Sequence, residues 1–398
     1  MCNILKYKQQ EQFPTFVVFA FLFWGMGWLL AGCGADADSS ASVARKGAVD
    51  FALVDTVVSY AEGFDFVARG NALCLRLLDL EKRDGSVLCQ VCRGTGSSDN
   101  THVPTVLLPD SGIRLATVST THIALLSAIG SLSSVVGTVY ADRILDPEAK
   151  LLIQQKKIAD LTGEHDLDTE RTLRANPDVV TSYPFGGAQY PVLESAGIGI
   201  IPLSEYLETH PLGRAEWMKV MGFLTNRSAA ADSVFAAVEA RYNTLVALTA
   251  PVPADERPLL YTGSHANGQW YAPPANSFMG RFSEHAGGRY LFADAVQPGN
   301  LTLDFEQFIV RAVDADYWGR VVYTPGPLTY DDIATEDNRY TALRAFRERK
   351  VFYCNAAETD YFGRAITEPD AVLADLTALL HPQLLPGHVY CYFKPVRD

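Results

Sequence analysis

The sequence predicts an α/β fold of two Rossmann-like lobes joined by a long backbone helix, with a β-rich extension before the first lobe. Three patterns indicate this fold: a long helical stretch in mid-chain, strands and helices that alternate on both sides of it, and a run of strands nearer the N-terminus. In the helical stretch, 228–249, apolar residues repeat at alternating spacings of four and three, at Ala231, Phe235, Val238, Tyr242 and Leu245. At about 1.5 Å per residue this helix is about 33 Å long, which is enough to connect two lobes.

The N-terminus has the pattern of a secretory signal. Lys6 and Lys8 precede an apolar run, 16–30, that is shorter than the ~20 residues needed to span a membrane. The run ends in Leu30-Ala31-Gly32-Cys33, which resembles the lipobox of bacterial lipoproteins. That resemblance implies that Cys33 is acylated after removal of residues 1–32; the alternatives are an ordinary signal peptide or a membrane anchor with a chance cysteine. Residues 33–48 are polar and small, which is typical of a flexible tether.

Charge and cysteine content narrow the functional classes. The net charge of -13 and the isoelectric point near 5.1 give no electrostatic footprint for DNA or RNA. Behind the predicted signal and lipobox, five cysteines remain: Cys74, Cys89, Cys92, Cys354 and Cys391. The spacing of Cys89 and Cys92 occurs in redox and metal sites, but no matching second pair accompanies it, which favours a structural role. A disulfide among Cys74, Cys89 and Cys92 is compatible with an oxidising compartment, and the sequence leaves the pairing open.

Strand patterns follow one another in 49–110 without an intervening helix. They include FDFVARG, LCLRLLDL and VLCQVC, with glycine-rich turns near Gly85 and Gly94. This region is predicted to be a β-rich extension rather than the functional core.

The first lobe is predicted over 111–210, and it places polar and aromatic residues after two buried strands. The strand 113–118 leads into Ser119, Thr120, Thr121 and His122, which start a helix. A second strand ends at Ser182 and is followed by Tyr183 and Phe185. Since ligands of open α/β sheets collect outside the carboxyl ends of the strands, Thr120, Thr121, His122, Tyr183 and Phe185 are candidate ligand-binding residues. The alternative for His122 is a local hydrogen bond at the helix start.

The second lobe, 251–398, repeats the pattern after the interlobe helices of 211–250. We expect 268–274 to be a loop that presents Gln269, Trp270 and Tyr271, and 355–364 to be a loop that presents Tyr361 and Arg364. Flat aromatic faces with a few polar groups suit a large planar or chelated ligand. Trp270 has the largest face, so its truncation should weaken binding most, and Arg364 should contact a ligand that carries carboxylates or phosphate. The alternative for each aromatic residue is packing within its lobe.

Several runs together resemble the substrate-binding proteins of ABC importers for iron chelates, haem and cobalamin, the class with a helical backbone. These are LRANPDVV at 173–180, AGIGIIPL at 196–203 and PLGRAEWM at 211–218, in that order and followed by the long helix. The resemblance covers 114–381. It implies a non-enzymatic solute-binding protein without a cofactor of its own, whose ligand is a metal chelate. It also implies an ABC permease and its ATPase as partners, and a lipid-anchored location on the periplasmic side of a bacterial membrane. Glu208 and Glu216 are the candidates for docking to the permease, with Glu284 a weaker one.

Two other functional classes stay open. The common catalytic and phosphate-binding motifs are absent from the sequence. An exported metal-dependent enzyme or chelatase would use the ligand-type residues Glu164, His165 and Asp166, although consecutive residues of this kind more often form a solvated turn. A structural surface lipoprotein would need no site. Within the binding-protein class, the sequence does not choose between siderophore, haem and cobalamin.

Overall fold

The computed structural model describes residues 57–95, 103–109, 112–164, 166–184 and 190–398. The predicted signal peptide and tether, Cys33, His165 and Phe185 lie outside these ranges. Within them, every helix is too short or too polar to cross a membrane.

The region before the first lobe forms a four-stranded sheet in the order β1-β2-β3-β4. Its strands are β1 Phe64–Arg69, β2 Asn71–Leu78, β3 Val87–Thr95 and β4 Thr105–Leu107. The first three pair antiparallel, and β4 runs parallel to β3. A disulfide joins Cys74 of β2 to Cys92 of β3, and burial raises the pKa of the Cys89 thiol to about 12. A thiol with so high a pKa is a poor nucleophile at neutral pH, in agreement with a structural role for the Cys89 and Cys92 pair.

The first lobe is built on a parallel five-stranded sheet in the order β7-β6-β5-β8-β9. Its elements are β5 Leu115–Thr117, α1 Thr120–Ala128, β6 Val135–Thr138, α2 Pro147–Gln154, β7 Ala159–Asp160, α3 Thr169–Ala175, β8 Val179–Ser182, α4 Pro191–Ser195 and β9 Gly199–Pro202. The central strand β5 pairs with both β6 and β8, so the chain segments after β5 and β8 leave the sheet side by side.

Three helices follow the first lobe. They are α5 Pro211–Glu216, α6 Met218–Thr225 and α7 Ser228–Thr249. The predicted long helix is confirmed at its predicted bounds, and Ala231, Phe235, Val238 and Tyr242 are buried along one stripe. Helix α7 packs against α6 and against two helices of the second lobe, α8 Phe278–His285 and α12 Pro369–Leu380. The connector is therefore a packed part of both lobes rather than a free rod.

The second lobe contains a five-stranded sheet in the order β13-β10-β15-β16-β17, parallel except for β17, and a separate antiparallel sheet of β11-β12-β14. Besides α8 and α12, its elements are β10 Leu259–Thr262, β11 Ser264–Ala266, β12 Gln269–Ala272, β13 Arg289–Tyr290, β14 Leu301–Asp304, α9 Phe305–Ala312, β15 Tyr317–Val322, α10 Tyr330–Glu336, α11 Arg344–Arg347, β16 Val351–Asn355 and β17 Lys394–Pro395. The predicted α/β class with two lobes and an N-terminal β-rich extension is confirmed.

One element differs from the prediction. Residues 269–272, expected to lie in a loop, form strand β12 of a hairpin with β11. The two strands are joined at Asn267 and Gly268, which both have positive φ, 52° and 76°. Such a pair in the left-handed region matches the twist of a tight hairpin, and Asn-Gly is the dipeptide that adopts it most readily.

Candidate functional site

The carboxyl edge of the first lobe brings the residues after β5 and β8 together. Ser119 precedes α1, and its side chain accepts a hydrogen bond from the Thr121 N–H at 3.2 Å. Tyr183 follows the neighbouring strand β8, and its ring centroid lies 5.7 Å from that of His122. Burial raises the pKa of Tyr183, so its hydroxyl stays protonated at neutral pH. The predicted meeting of these two segments therefore occurs.

A buried polar network lies beneath this edge. Thr121 Oγ1 donates to Glu205 Oε1 at 2.8 Å, and Thr181 Oγ1 lies 3.0 Å from His122 Nδ1. The remaining Glu205 oxygen, Oε2, is 3.6 Å from His122 Nε2, and the two side chains are only 1% and 0% exposed. Burial by itself would raise the pKa of Glu205, but the adjacent His122 and the hydrogen bond from Thr121 outweigh it and lower that pKa. The carboxylate is thus charged, and it binds the first turn of α1 through the Thr121 hydroxyl.

This network corrects the prediction for His122. A fully buried ring that is engaged by Thr181 and faces Glu205 does not offer a donor to a ligand in the cleft. The hydrogen bond of His122 is not the local one of the alternative, because its partner Thr181 lies on the neighbouring strand β8. Glu205 was missed in the sequence, although the signal was there: it follows β9 and so lies at the same carboxyl edge.

The second lobe meets this edge through the segment after β16. Thr120 Oγ1 donates to the Phe362 carbonyl oxygen at 3.4 Å, and the turn 364–366 packs against α1. The Tyr361 hydroxyl donates to Met279 Sδ at 3.6 Å, and its ring packs edge-on against Phe393. Arg364 is 60% exposed and already binds Glu368 Oε1 at 2.8 Å. The 119–122 and 361–364 segments therefore meet across the lobes, and the ligand-binding roles of Thr120 and Tyr361 stay predictions.

Trp270 does not join this contact. It is 1% exposed, and its ring stacks on Phe308 with centroids 3.7 Å apart and an angle of 2° between the planes. Its neighbours Tyr261 and Trp318 belong to the same second-lobe core. On either side of it in β12, Gln269 and Tyr271 are half-buried and bind each other, since the Tyr271 hydroxyl donates to Gln269 Oε1 at 3.0 Å. The prediction that Trp270 offers a ring face to the ligand is corrected, because its alternation in β12 turns it into the core.

Comparison with known proteins identifies the family of this chain. A model of the family described as periplasmic binding protein matches residues 115–358. This chain belongs to the periplasmic binding protein family. An uncharacterized lipoprotein of Methanocaldococcus jannaschii is 29% identical over 294 residues, which are 70% of this chain and 68% of that protein.

Solved structures share the fold. A periplasmic haem-binding protein from Pseudomonas aeruginosa has a TM-score of 0.56 at 18% identity, covering 72% of this chain and 98% of that one. The haem-binding protein HutB of Vibrio cholerae has a TM-score of 0.54 at 14% identity, over 68% of this chain and 100% of its own. A protein of an ABC-type Fe3+-hydroxamate transport system from Saccharomonospora viridis has a TM-score of 0.51 at 17% identity, over 67% and 94%. At these identities the likeness is one of fold.

The two glutamates expected to dock this binding protein to a permease are not on its surface. Glu216 is 0% exposed and accepts three backbone N–H groups, from Ser59 at 2.9 Å, Tyr60 at 2.8 Å and Ala61 at 2.9 Å. Glu208 is 2% exposed and accepts the N–H groups of residues 62 and 63. The docking prediction is corrected for both, because they anchor the segment that leads into β1. Glu284 is exposed, and its docking role stays a prediction.

The metal-site alternative gains no support from the described residues. Asp166 Oδ2 accepts a hydrogen bond from the Tyr190 hydroxyl at 2.5 Å, and no described group of three or more histidine, cysteine or acidic residues could hold a metal ion. Within the described residues Glu164 has no hydrogen-bond or ion-pair partner, and His165 lies outside the described ranges.

Proposed function

We propose that this protein is the solute-binding subunit of an ABC importer and that it carries an iron chelate, haem or a corrinoid to a permease. The observation that supports this most is a contact between two segments of different lobes, 119–122 and 361–364, at Thr120 and Phe362. Each segment follows a buried parallel strand, which is where ligands of such sheets bind. A ligand held there would touch both lobes and could be enclosed by their closure. The structural neighbours include a haem-binding protein and a protein of an Fe3+-hydroxamate transport system, whose ligands belong to the same classes.

The site suits binding rather than turnover. Its polar groups are hydroxyls, guanidinium groups and the buried side chains of His122 and Glu205, which are only 0% and 1% exposed and so do not face the cleft. We therefore propose that the ligand is captured and released unchanged, and that the chain needs no cofactor of its own.

The test is a direct binding experiment on the protein without its signal segment. Native mass spectrometry and visible absorption are recorded with haemin, ferrioxamine B, ferric citrate and cyanocobalamin, and each mixture is incubated and analysed for products. We expect saturable one-to-one binding of at least one probe, a raised melting temperature and no turnover. Failure of all four to bind, or conversion of any of them, would contradict the proposal.

We also propose that Cys33 is acylated and tethers the protein to the outer side of a membrane. The lipobox pattern at 30–33 supports this, as does the name lipoprotein of the Methanocaldococcus jannaschii relative. Expression of the full chain in a host with lipoprotein processing, followed by membrane fractionation, should find the wild type in membranes and Cys33→Ser in the soluble fraction after signal cleavage. Membrane association of the cleaved Cys33→Ser variant would refute the anchor.

A further inference from the structure

Arg214 lies where the two lobes and the connecting helices meet. It belongs to α5, which packs against the turn 205–207 of the first lobe and against α8 and the turn 364–366 of the second. Its guanidinium carbon stands 4.2 Å above the ring of Phe278, the first residue of α8. Glu205, from the edge of the first lobe, is among the carboxylates whose charge acts on it. The guanidinium is thus held beside the contact between the lobes.

The guanidinium has no partner within the described part of the chain. Its Nε is buried without an acceptor, and Arg214 takes part in none of the ion pairs or side-chain hydrogen bonds found there. Arg214 as a whole is half-buried, but burying even one guanidinium donor without an acceptor is costly, because the group keeps its charge at all physiological pH values. Burial lowers the pKa of Arg214, which reflects the same desolvation.

The nearby carboxylates face other groups. Glu205 Oε1 receives the hydrogen bond of Thr121, and Oε2, which has no hydrogen-bond partner among the described residues, lies 3.6 Å from His122 Nε2. Glu208 receives the N–H groups of residues 62 and 63 together with Trp217 Nε1 at 2.9 Å. They offset part of the charge of Arg214 at a distance, but neither forms an ion pair with it. Arg364, by contrast, is exposed and already paired with Glu368.

We infer that Arg214 is the anion-recognising residue of the interlobe site and that the bound chelate presents a carboxylate to it. The inference rests on the proposed function and selects within it: carboxylate-bearing ligands, such as haem with its propionates or a ferric carboxylate chelate, are favoured over neutral hydroxamates. A planar guanidinium stacked on an aromatic ring keeps its edge free, and a carboxylate can bind that edge with two parallel hydrogen bonds. Lysine cannot reproduce this geometry.

The experiment compares matched ligands on matched variants. Haemin and its dimethyl ester differ in the propionate charges, and ferric citrate and ferrioxamine B differ in carboxylate against hydroxamate chemistry. Each is titrated by absorption or calorimetry into wild type, Arg214→Gln, Arg214→Lys and Arg281→Gln. Arg281 of α8 is the matched control, since its Nε is also buried without an acceptor but its charge acts on His210, His285 and Tyr242, at the side of α7.

We expect the carboxylate member of a pair to bind wild type at least tenfold more tightly than its neutral counterpart. Arg214→Gln should lose that tenfold, Arg214→Lys should lose part of it, and Arg281→Gln should retain it. Melting curves and circular dichroism verify that each variant is folded. Equal affinity of wild type and Arg214→Gln for a bound carboxylate probe, preference of wild type for the neutral member, or an equal loss in Arg281→Gln would overturn the inference alone. Binding of cyanocobalamin alone would likewise overturn the inference, whereas absence of binding by all these probes and by cyanocobalamin would overturn the proposed function.

Discussion

Buried carboxylates of single residues hold irregular backbone in this protein. Asp375 of α12 is fully buried, and it accepts N–H groups from Tyr392 at 2.6 Å and Phe393 at 3.0 Å and lies 2.7 Å from His388 Nε2. Glu208 and Glu216 do the same for the segment before β1. Each carboxylate accepts hydrogen bonds from several backbone N–H groups that no helix or strand pairs. Charged acceptors make stronger hydrogen bonds than neutral ones. An acidic residue near a predicted surface can therefore be structural.

Replacement of Trp270 should affect folding rather than ligand recognition. Because its ring is stacked on Phe308 in the second-lobe core, Trp270→Ala should lower the free energy of unfolding by about 3–5 kcal/mol. Tyr271→Ala, on the same strand but half-buried, is the control and should cost less. Urea unfolding measures both. A folded Trp270→Ala protein with near-wild-type stability and weakened ligand affinity would contradict the core position and support the affinity loss expected from the sequence.

His210 should make the protein sensitive to mild acid. Burial, together with the nearby His285 and Arg281, lowers the pKa of His210 from 6.5 to about 4. The unfolded chain then binds a proton that the folded one does not, so stability is unaffected above pH 6.5 and falls as the pH drops from 6.5 towards 4. His210→Asn removes this titration, and asparagine can still accept the Leu212 N–H that His210 Nδ1 accepts at 3.1 Å.

The measurement is urea unfolding of wild type and His210→Asn at several values between pH 4 and pH 8. We expect similar stability at pH 7.5 and a shallower decline for the variant below pH 6.5. Parallel curves for the two proteins throughout would show that His210 has the same pKa in the folded and the unfolded chain.

Among the elements, regular repeats were predictable and long-range placement was not. The stripe of α7 was recognised because its apolar period extends over the whole helix, so local sequence and burial agree. The sequence favours a loop at β12 because two aromatic residues stand between a glycine and two prolines, whereas the Asn267-Gly268 dipeptide is the local signal for the hairpin that forms. The proximity of Arg214 and Glu205 is not predictable from the sequence, because it depends on how α5 packs between the lobes.

The segment 59–63 should depend on Glu216 for its order. Glu216→Ala removes the acceptor of three N–H groups, leaving them unpaired at a cost of roughly 1–3 kcal/mol. Hydrogen exchange of peptides spanning 57–63 should become faster than in wild type. Glu239→Ala is the matched control: among the described residues Glu239 accepts only the Tyr60 hydroxyl, at 2.7 Å, so its replacement leaves the backbone contacts of Glu216 intact. Unchanged exchange in Glu216→Ala would mean that other contacts hold the segment.

At the scale of the whole molecule, the connector belongs to both lobes. Helix α6 packs against α1 of the first lobe and against α7, while α7 packs against α12 and α8 of the second. Movement of one lobe relative to the other must therefore shift packed side chains along these helices. Close-packed interfaces resist such shifts, unlike extended strands that change only a few backbone angles.

Ligand binding should therefore change the overall dimensions only slightly. Small-angle scattering of the protein without its signal segment, alone and saturated with a probe that binds, should give nearly the same radius of gyration, because α7 is anchored along its buried stripe from Ala231 to Tyr242. A probe that does not bind, at the same concentration, controls for the effect of the additive. The scattering curves should differ mainly at the angles that report the separation of the lobes. A contraction of several ångströms on saturation would mean that the lobes rotate about a soft hinge and that the packed helices are not the rigid connection between them.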